Sequence, residues 1–339
     1  MNEIKVIGID LAKSVFQLHG VDENSRAVAR KRLSRDKLIP FVATLKPCLI
    51  GIEACGGSNY WAREFRKLGH SVKQIAPQFV IPFRKSDKND RNDAEAICEA
   101  IQRPSMRFVP VKETKHQDVQ SLHRVRSRLM GNRTALGNEI RGLLLEYGIT
   151  IAQKFSALKK SLNQITSDEQ SALSPSMRET ILRLQGELRD VEAEIKFYDD
   201  KIDTVFREEP ICQRLSKIEG IGRLTATAIY CGTPDPGVFK NGRQYSASLG
   251  LVPRQNSSGN KERLLSITKR GDVYLRSLLI HGARAFLRFA PRRTDKKSIW
   301  AVEKSKTRGF NRAAVAVAAK NARTVWAMLK NNTAYQIAA

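Results

Sequence analysis

The chain has 339 residues, and its 59 Lys and Arg against 34 Asp and Glu give it a net charge of +25. This length fits two or three domains, and a hydrophobic fraction of 41% is enough for packed cores, which excludes wholesale disorder. No apolar window of about 18 residues occurs, and the first residues lack the pattern of a signal peptide, so we expect a cytoplasmic protein without a membrane span. The five cysteines form no C-x-x-C pair, which favours reduced thiols over disulfides or a zinc site.

The positive charge is concentrated in the last third of the chain. Residues 210–339 hold 24 basic and 6 acidic residues, whereas residues 1–110 carry +7 and residues 111–209 carry no net charge. Ribosomal and membrane-surface proteins can be equally basic, but they usually place the charge in tails or on an amphipathic helix. Here it runs through a globular segment that is punctuated by glycines. The charge therefore predicts a nucleic acid as the partner.

Residues 1–108 are predicted to form an α/β domain. Three strands come first, and helices and strands alternate after them. This order is typical of an RNase H-like sheet. The strands are IKVIGIDLA, VFQLHGVDE, AVARKRL, CLIGIEACG and SVKQIAP, and the helices are RDKLIPFVATLK, SNYWAREFRKLGH and DAEAICEAIQR.

Residues 109–209 are predicted to form a helical coiled-coil hairpin. Apolar residues recur at steps of four and three along the second helix, which is the spacing of a coiled-coil seam. The seam comprises Met177, Ile181, Leu184, Leu188, Val191, Ile195, Tyr198, Ile202 and Val205. An earlier helix with apolar residues from Leu122 to Leu143 is its expected partner, and SLNQITSDEQSALSP is the expected turn. We expect the hairpin both to separate two domains and to form a subunit interface.

Residues 210–339 are predicted to be mainly helical, with helices near 272–289 and 310–330. The segment IEGIGRLTATA matches a helix-hairpin-helix pattern. Gly220 and Gly222 would let the backbone turn tightly and present N–H groups to a phosphate at the start of a helix. An ordinary glycine-broken turn between two helices is the alternative.

Four carboxylates are candidates for a metal site. Asp10 follows the apolar run VIGI and Glu53 ends the run LIGIE, so they meet at one sheet edge if the two strands are parallel neighbours. Asp90 and Asp93 stand three residues apart at the start of a helix and share a face. Mg²⁺ prefers such hard oxygen ligands, and two ions about 4 Å apart assist in-line phosphoryl transfer. The pattern predicts a Mg²⁺ site for chemistry on phosphodiesters.

Each candidate also has a simpler interpretation. Asp90 and Asp93 are favoured at a helix N-terminus by the helix dipole alone. Asp10 also fits the phosphate-loop aspartate of a sugar-kinase-like domain. Ser257 and Ser258 lie in a polar, flexible loop, where serines are usually ordinary loop residues. The five histidines show neither metal-ligand spacing nor a Ser-His hydrolase pattern.

The ordered set of motifs resembles the DEDD-type transposases of bacterial insertion sequences over nearly the whole chain. The resemblance rests on GIDLAK around Asp10, IEACG around Glu53 and KNDRNDAEAICEA around Asp90 and Asp93, and continues through IEGIG, SLGLVPRQNSSG and ITKRGDVYLR. Those transposases have a RuvC-like N-terminal domain and a serine-bearing C-terminal domain. Some members are recombinases guided by a bridge RNA.

The resemblance implies a role for each candidate. The four carboxylates would hold metal, and Ser258 would attack a DNA phosphodiester to form a phosphoserine link, with Ser257 as the alternative nucleophile. Donor and target DNA, a guide RNA, and a dimer or tetramer are the expected partners. The basic residues expected to bind nucleic acid are Arg254, Lys261, Arg263, Lys269 and Arg270. The rival hypotheses are a RuvC-like junction endonuclease without a covalent intermediate and a non-enzymatic nucleic-acid binder.

Overall fold

The computed structural model describes residues 3–84, 90–167, 172–259 and 261–336, except for the side chains of Asp90 and Arg91. The chain divides into two units, and each is described by itself. The first comprises residues 1–117, 231–270 and 322–333, and the second comprises residues 118–230, 271–321 and 334–339. The three-domain division at residues 108 and 209 stays a prediction.

The N-terminal part of the first unit is a mixed sheet with helices, as predicted. Its strands are β1 (Val6–Asp10), β2 (Val15–Val21), β3 (Ala27–Ser34), β4 (Leu49–Glu53), β5 (Ser71–Ile75) and β6 (Phe108–Val109), and its helices are α1 (Arg35–Ala43), α2 (Ser58–Lys67), α3 (Pro77–Val80) and α4 (Asp90–Ala100), with a 3-10 turn at Ile81–Phe83. The sheet order is β3-β2-β1-β4-β5-β6. Strands β1, β4 and β5 are parallel, and the other neighbouring pairs are antiparallel. The sequence did not predict β6, because two residues are too few to show an alternating pattern.

Alternation along β1 and β4 sends their side chains to two different layers. Ile7, Ile9, Ile50 and Ile52 are fully buried and pack with Trp61 and Phe65 of α2. The intervening glycines, Gly8 and Gly51, face α4. A Cβ atom at Gly8 would lie 2.2 Å from the carbonyl oxygen of Ala94, and one at Gly51 would lie 2.5 Å from Cδ1 of Ile101. Gly8 therefore lets the backbone of α4 approach β1 directly, and Gly51 leaves room for the side chains of Ile97 and Ile101.

Three helices make up the middle of the chain: α5 (Thr114–Leu145), α6 (Phe155–Ser167) and α7 (Pro175–Glu208). The prediction that SLNQITSDEQSALSP forms only a turn was wrong, since its first seven residues belong to α6. Polar composition concealed this helix, which contributes only two buried apolar residues, Leu158 and Leu162. They join one cluster with residues of α5 and α7, and Arg126 of α5 pairs with Asp199 of α7.

The predicted seam of α7 is buried at every seventh residue. Ile181, Leu188, Ile195 and Ile202 are at most 6% exposed within a single chain. At least Ile181 and Leu188 pack against α5 and α6 of the same chain. This part of the apolar face is therefore covered without a second subunit, and the coiled coil stays a prediction.

The last third is mainly helical and also contains a β-hairpin. Its helices are α8 (Pro210–Leu215), α9 (Arg223–Gly232), α10 (Gly242–Ser248), α11 (Val273–Phe289), α12 (Lys296–Arg308) and α13 (Phe310–Asn331), with 3-10 turns at Pro236–Val238 and Ala290–Arg292. Strands β7 (Pro253–Gln255) and β8 (Leu264–Ile267) pair antiparallel. Ser257 and Ser258 lie in the segment that connects the two strands, which agrees with the predicted loop, whereas the flanking strands were not predicted. In the described part of the chain, no helix is long and apolar enough to cross a bilayer.

A buried histidine links three helices of the second unit. The ring nitrogens of His123, on α5, lie 3.0 Å from the hydroxyl of Tyr274 on α11 and 3.1 Å from that of Thr227 on α9. Burial lowers the pKa of His123 to about 4, and the nearby charge of Arg126 contributes. The ring is therefore neutral at pH 7 and serves as a hydrogen-bonding link in the helical core.

Candidate metal-binding edge and serine hairpin

Asp10 and Glu53 end two neighbouring parallel strands. The register of β1 and β4 pairs Ile9 with Ile52, so the two carboxylates are the next residues along each strand. Each stands two residues beyond a glycine that faces α4, and residues two apart on a strand share a face. Both carboxylates therefore belong to the α4 side of the same sheet edge, as predicted from the sequence.

Helix α4 directs its N-terminal end toward that edge. Gly8 contacts the helix at Ala94 and Cys98, and the thiol of Cys98 lies 3.9 Å from the carbonyl oxygen of Val6. The helix thus runs antiparallel to β1, and its first residues lie toward Asp10. Asp93, which immediately precedes Ala94, is only 7% exposed. Asp90 begins the helix, but its side chain lies outside the described residues.

Asp93 has a cationic neighbour that the sequence did not indicate. The Nε atom of Arg84 lies 2.5 Å from Oδ1 of Asp93. The same two atoms are buried without a hydrogen bond of acceptable geometry. The contact is therefore an ion pair in which the Nε–H of Arg84 does not point at Oδ1 of Asp93. Arg84 follows a short 3-10 turn and begins a polar segment with several other basic residues. The sequence alone therefore does not single it out as the partner of Asp93.

The charges of both strand-end carboxylates act on the thiol of Cys55. Burial raises its pKa, and the charges of Glu53 and Asp10 raise it further. The two carboxylates are therefore within electrostatic reach of one point at the sheet edge. Among the described side chains, which do not include Asp90, no group of three or more His, Cys, Asp and Glu is arranged to hold a metal ion. The sheet thus brings Asp10 and Glu53 together and directs α4 toward them.

The glycine turn before α9 has a packing role. Gly220 has a φ of +87°, as a tight turn requires, and a Cβ at Gly282 of α11 would lie 1.8 Å from its carbonyl oxygen. The neighbouring Glu219 is bound by Arg293 at 2.9 Å and by Lys297 at 3.0 Å. Gly222, by contrast, has no described atom within 4 Å of an added Cβ and immediately precedes α9. The phosphate-binding role of the two glycines stays a prediction.

The serine hairpin, defined as residues 253–267, separates the roles of its two serines. The hydroxyl of Ser257 accepts hydrogen bonds from Nε2 of Gln255 at 3.0 Å and from the backbone N–H of Arg263 at 3.3 Å. Ser258 pairs with Lys261 through the backbone, and its exposed hydroxyl has no hydrogen bond to the residues that the structure describes. Ser257 therefore stabilises the hairpin, while Ser258 presents its hydroxyl near the tip.

The predicted nucleic-acid contacts of this region are all at the surface. Arg254, Lys261 and Arg263 are exposed on the serine hairpin. Lys269 and Arg270 are exposed just after it, where the N–H of Lys269 donates to the carbonyl oxygen of Gly250. Their exposure leaves the cationic groups accessible to phosphates, and their binding role stays a prediction.

Two family models match the chain, one before and one after helices α6 and α7. The model described as "DEDD_Tnp_IS110: Transposase" covers residues 7–149, and the model described as "Transposase IS116/IS110/IS902 family" covers residues 212–298. The first match includes Asp10, Glu53, Asp90 and Asp93, and the second includes the serine hairpin. Together they define the class of protein, a DEDD-type transposase of bacterial insertion sequences.

Relatives extend the match to the whole chain. A probable family 20 transposase of Pseudomonas aeruginosa is 49% identical over 97% of this chain and 98% of its own length. The transposase for insertion sequence element IS1111A of Coxiella burnetii is 47% identical over 100% of this chain and 93% of its own. The transposase for IS1328 of Yersinia enterocolitica is 36% identical over 99% of both. The chain belongs to the IS110 family of transposases, enzymes that cut and join DNA.

Proposed function

We propose that this transposase cuts DNA with divalent ions held by Asp10, Glu53, Asp90 and Asp93, and rejoins it through a covalent link to Ser258. The observation that carries the proposal is the placement of Asp10 and Glu53 at the ends of adjacent parallel strands, with the N-terminal end of α4 directed toward them. The strand order supports an RNase H-like, and more narrowly RuvC-like, domain.

The donor set suits a hard divalent cation, which we take to be Mg²⁺. All four side chains are carboxylates, and Oδ1 of Asp93 is a buried acceptor without an aligned hydrogen bond in the described chain. Carboxylates that converge on one sheet edge repel each other, so the set favours binding of a cation. When bound, Mg²⁺ stabilises the charge that develops on the attacking and leaving oxygens of a phosphoryl transfer, and two ions can share this role.

The covalent step uses the Ser258 hydroxyl. Its oxygen attacks the phosphorus of a DNA phosphodiester, a P–O bond to one DNA strand breaks, and that strand leaves with its hydroxyl. A hydroxyl of the strand to be joined later attacks the phosphoserine and releases Ser258. The ester retains the phosphodiester's energy, so strand exchange needs no external energy source. Arg254, Lys261 and Arg263 lie on the same hairpin as the serine and would hold the phosphate before attack.

The remaining partners follow from charge and family. The net charge of +18 in residues 210–339 suits binding of donor and target DNA, and also of a structured guide RNA that selects them. We propose a dimer or tetramer in which the carboxylates and Ser258 act on the same phosphodiester from different subunits.

The test is to compare Asp10→Asn with Asp36→Asn on labelled donor and target DNA. Asp36 is an exposed carboxylate on α1 and serves as the matched control. We expect Asp10→Asn to abolish Mg²⁺-dependent cleavage while leaving DNA affinity nearly unchanged, because affinity comes mainly from Lys and Arg. Asp36→Asn should cleave normally. Cleavage by Asp10→Asn at ordinary Mg²⁺ would contradict the metal site, and tight binding without any cleavage by the unmutated protein would favour a non-enzymatic binder.

A further inference from the structure

A cleft of 440 Å³ opens at the carboxyl ends of β1 and β4. Its lining begins at Leu11, one residue beyond Asp10, and includes Cys55, two residues beyond Glu53. The cleft therefore adjoins the carboxylate edge but is lined by other side chains. A DNA strand whose phosphate lies at the carboxylates would continue past this opening.

One wall of the cleft is aromatic. Tyr60 is 45% exposed, and its ring lies edge-on against Trp61, with 5.2 Å between ring centroids. Trp61 is only 4% exposed and packs against Phe16 and Phe65. Tyr60 therefore packs against a buried core residue, and much of its side chain faces solvent.

The lining of the cleft also carries positive charge. The guanidinium of Arg35 lies 5.0 Å from the ring of Trp61, and its Nη1 donates to the carbonyl oxygen of Lys13 at 3.4 Å. Arg35 and Lys13 are both exposed, and the described lining includes no acidic side chain. Gly56 and Gly57, which also line the cleft, leave open space where side chains would otherwise project. An exposed ring beside two cations is the combination that binds single-stranded nucleic acid.

We propose that this cleft binds an unpaired nucleotide of the DNA strand that is cut at the carboxylates. Its base stacks on Tyr60, and Lys13 and Arg35 contact its phosphate. A base that stacks on the Tyr60 ring cannot also stack on the neighbouring bases of its strand. The site therefore selects a melted or single-stranded segment over intact duplex. The inference rests on the proposed function, since it takes the position of the cut strand from the carboxylates.

The test uses full-length protein with Asp10→Asn, which prevents cutting, and single-stranded DNA that carries 5-iodo-deoxyuridine at successive positions. After irradiation, mass spectrometry should find the cross-linked peptide at Tyr60. Tyr60→Leu should weaken oligonucleotide binding about 10-fold and lose the cross-link, because stacking is lost. Tyr60→Phe should retain both, because only the ring is needed. Phe197→Leu is the matched control, since Phe197 is 52% exposed on α7 and outside the cleft.

The inference would be overturned by unchanged binding of Tyr60→Leu, or by cross-links that map only outside the cleft. A cross-link with the equivalent RNA and none with DNA would also overturn the assignment to the cut strand. The proposed function fails differently, since there Asp10→Asn would still cleave in Mg²⁺ whatever the cross-linking shows. If Tyr60 is cross-linked in a protein whose cleavage does not depend on Asp10, nucleotide binding in the cleft is supported and the proposed metal site is contradicted.

Discussion

The carboxylate edge, defined by Asp10 and Glu53, and the serine hairpin differ in how deeply their surroundings are buried. Asp10 and Glu53 end two strands whose neighbouring isoleucines are fully buried, and the backbone of α4 packs directly on Gly8. The serine hairpin is exposed along its described length apart from Ile267, and even Leu264 and Leu265 are 62% and 42% exposed. Metal ligands need fixed separations, whereas a nucleophile at a hairpin tip needs access to DNA. Substitutions should therefore affect stability and activity together at the edge, and activity alone at the hairpin.

The largest effect on stability is expected from Gly8→Ala. Its Cβ would lie 2.2 Å from a backbone oxygen of α4, so the helix must move away from β1. We expect a loss of about 3 kcal/mol in the free energy of unfolding, and loss of cleavage because α4 carries Asp90 and Asp93. Denaturant unfolding and a cleavage assay measure the two effects.

The matched control is Gly259→Ala on the serine hairpin. Gly259 has a φ of +57° but open space around it, so only backbone strain of about 1 kcal/mol is expected. If Gly8→Ala were as stable as Gly259→Ala, direct packing of α4 on β1 would not be what fixes the carboxylate edge.

A smaller effect is expected from removing hairpin charges. Arg254→Ala and Arg263→Ala should each lower the salt dependence of DNA binding by about one counterion, because each removes a phosphate contact. Stability should hardly change, since both side chains are exposed. Affinity measured across a salt series gives the slope. Arg183→Ala removes an exposed arginine from α7 and should leave the slope unchanged, and an equal fall in all three variants would mean that overall charge alone determines affinity.

The sequence predicted the strand-end carboxylates because the apolar runs VIGI and LIGI show where each strand is buried and where it ends. If the two strands pair in parallel, Asp10 and Glu53 then lie at the same sheet edge. It did not predict the contact of Arg84 with Asp93, because that depends on the course of a polar loop. Helix α6 was missed because it has only two fully buried positions, and polar composition alone indicated a turn.

The hydrogen bonds of Ser257 also could not be predicted from the sequence. They require the register of β7 on β8, which places the N–H of Arg263 beside the Ser257 hydroxyl. From the sequence, the resemblance implied Ser258 as the nucleophile and left the adjacent Ser257 as the alternative. The structure gives them different surroundings, which favours Ser258 as the reactive one.

The most direct test of the account is the covalent protein–DNA adduct. Labelled substrate is incubated with Mg²⁺ and the unmutated protein, Ser258→Ala or Ser257→Ala, and each sample is denatured and examined for label that migrates with protein. The account predicts label on the unmutated protein and on Ser257→Ala, whose lost hydrogen bonds only loosen the hairpin, and none on Ser258→Ala. Label on Ser258→Ala but not on Ser257→Ala would assign the nucleophile to Ser257, and cut DNA without label on any protein would contradict the covalent mechanism and favour a hydrolytic endonuclease.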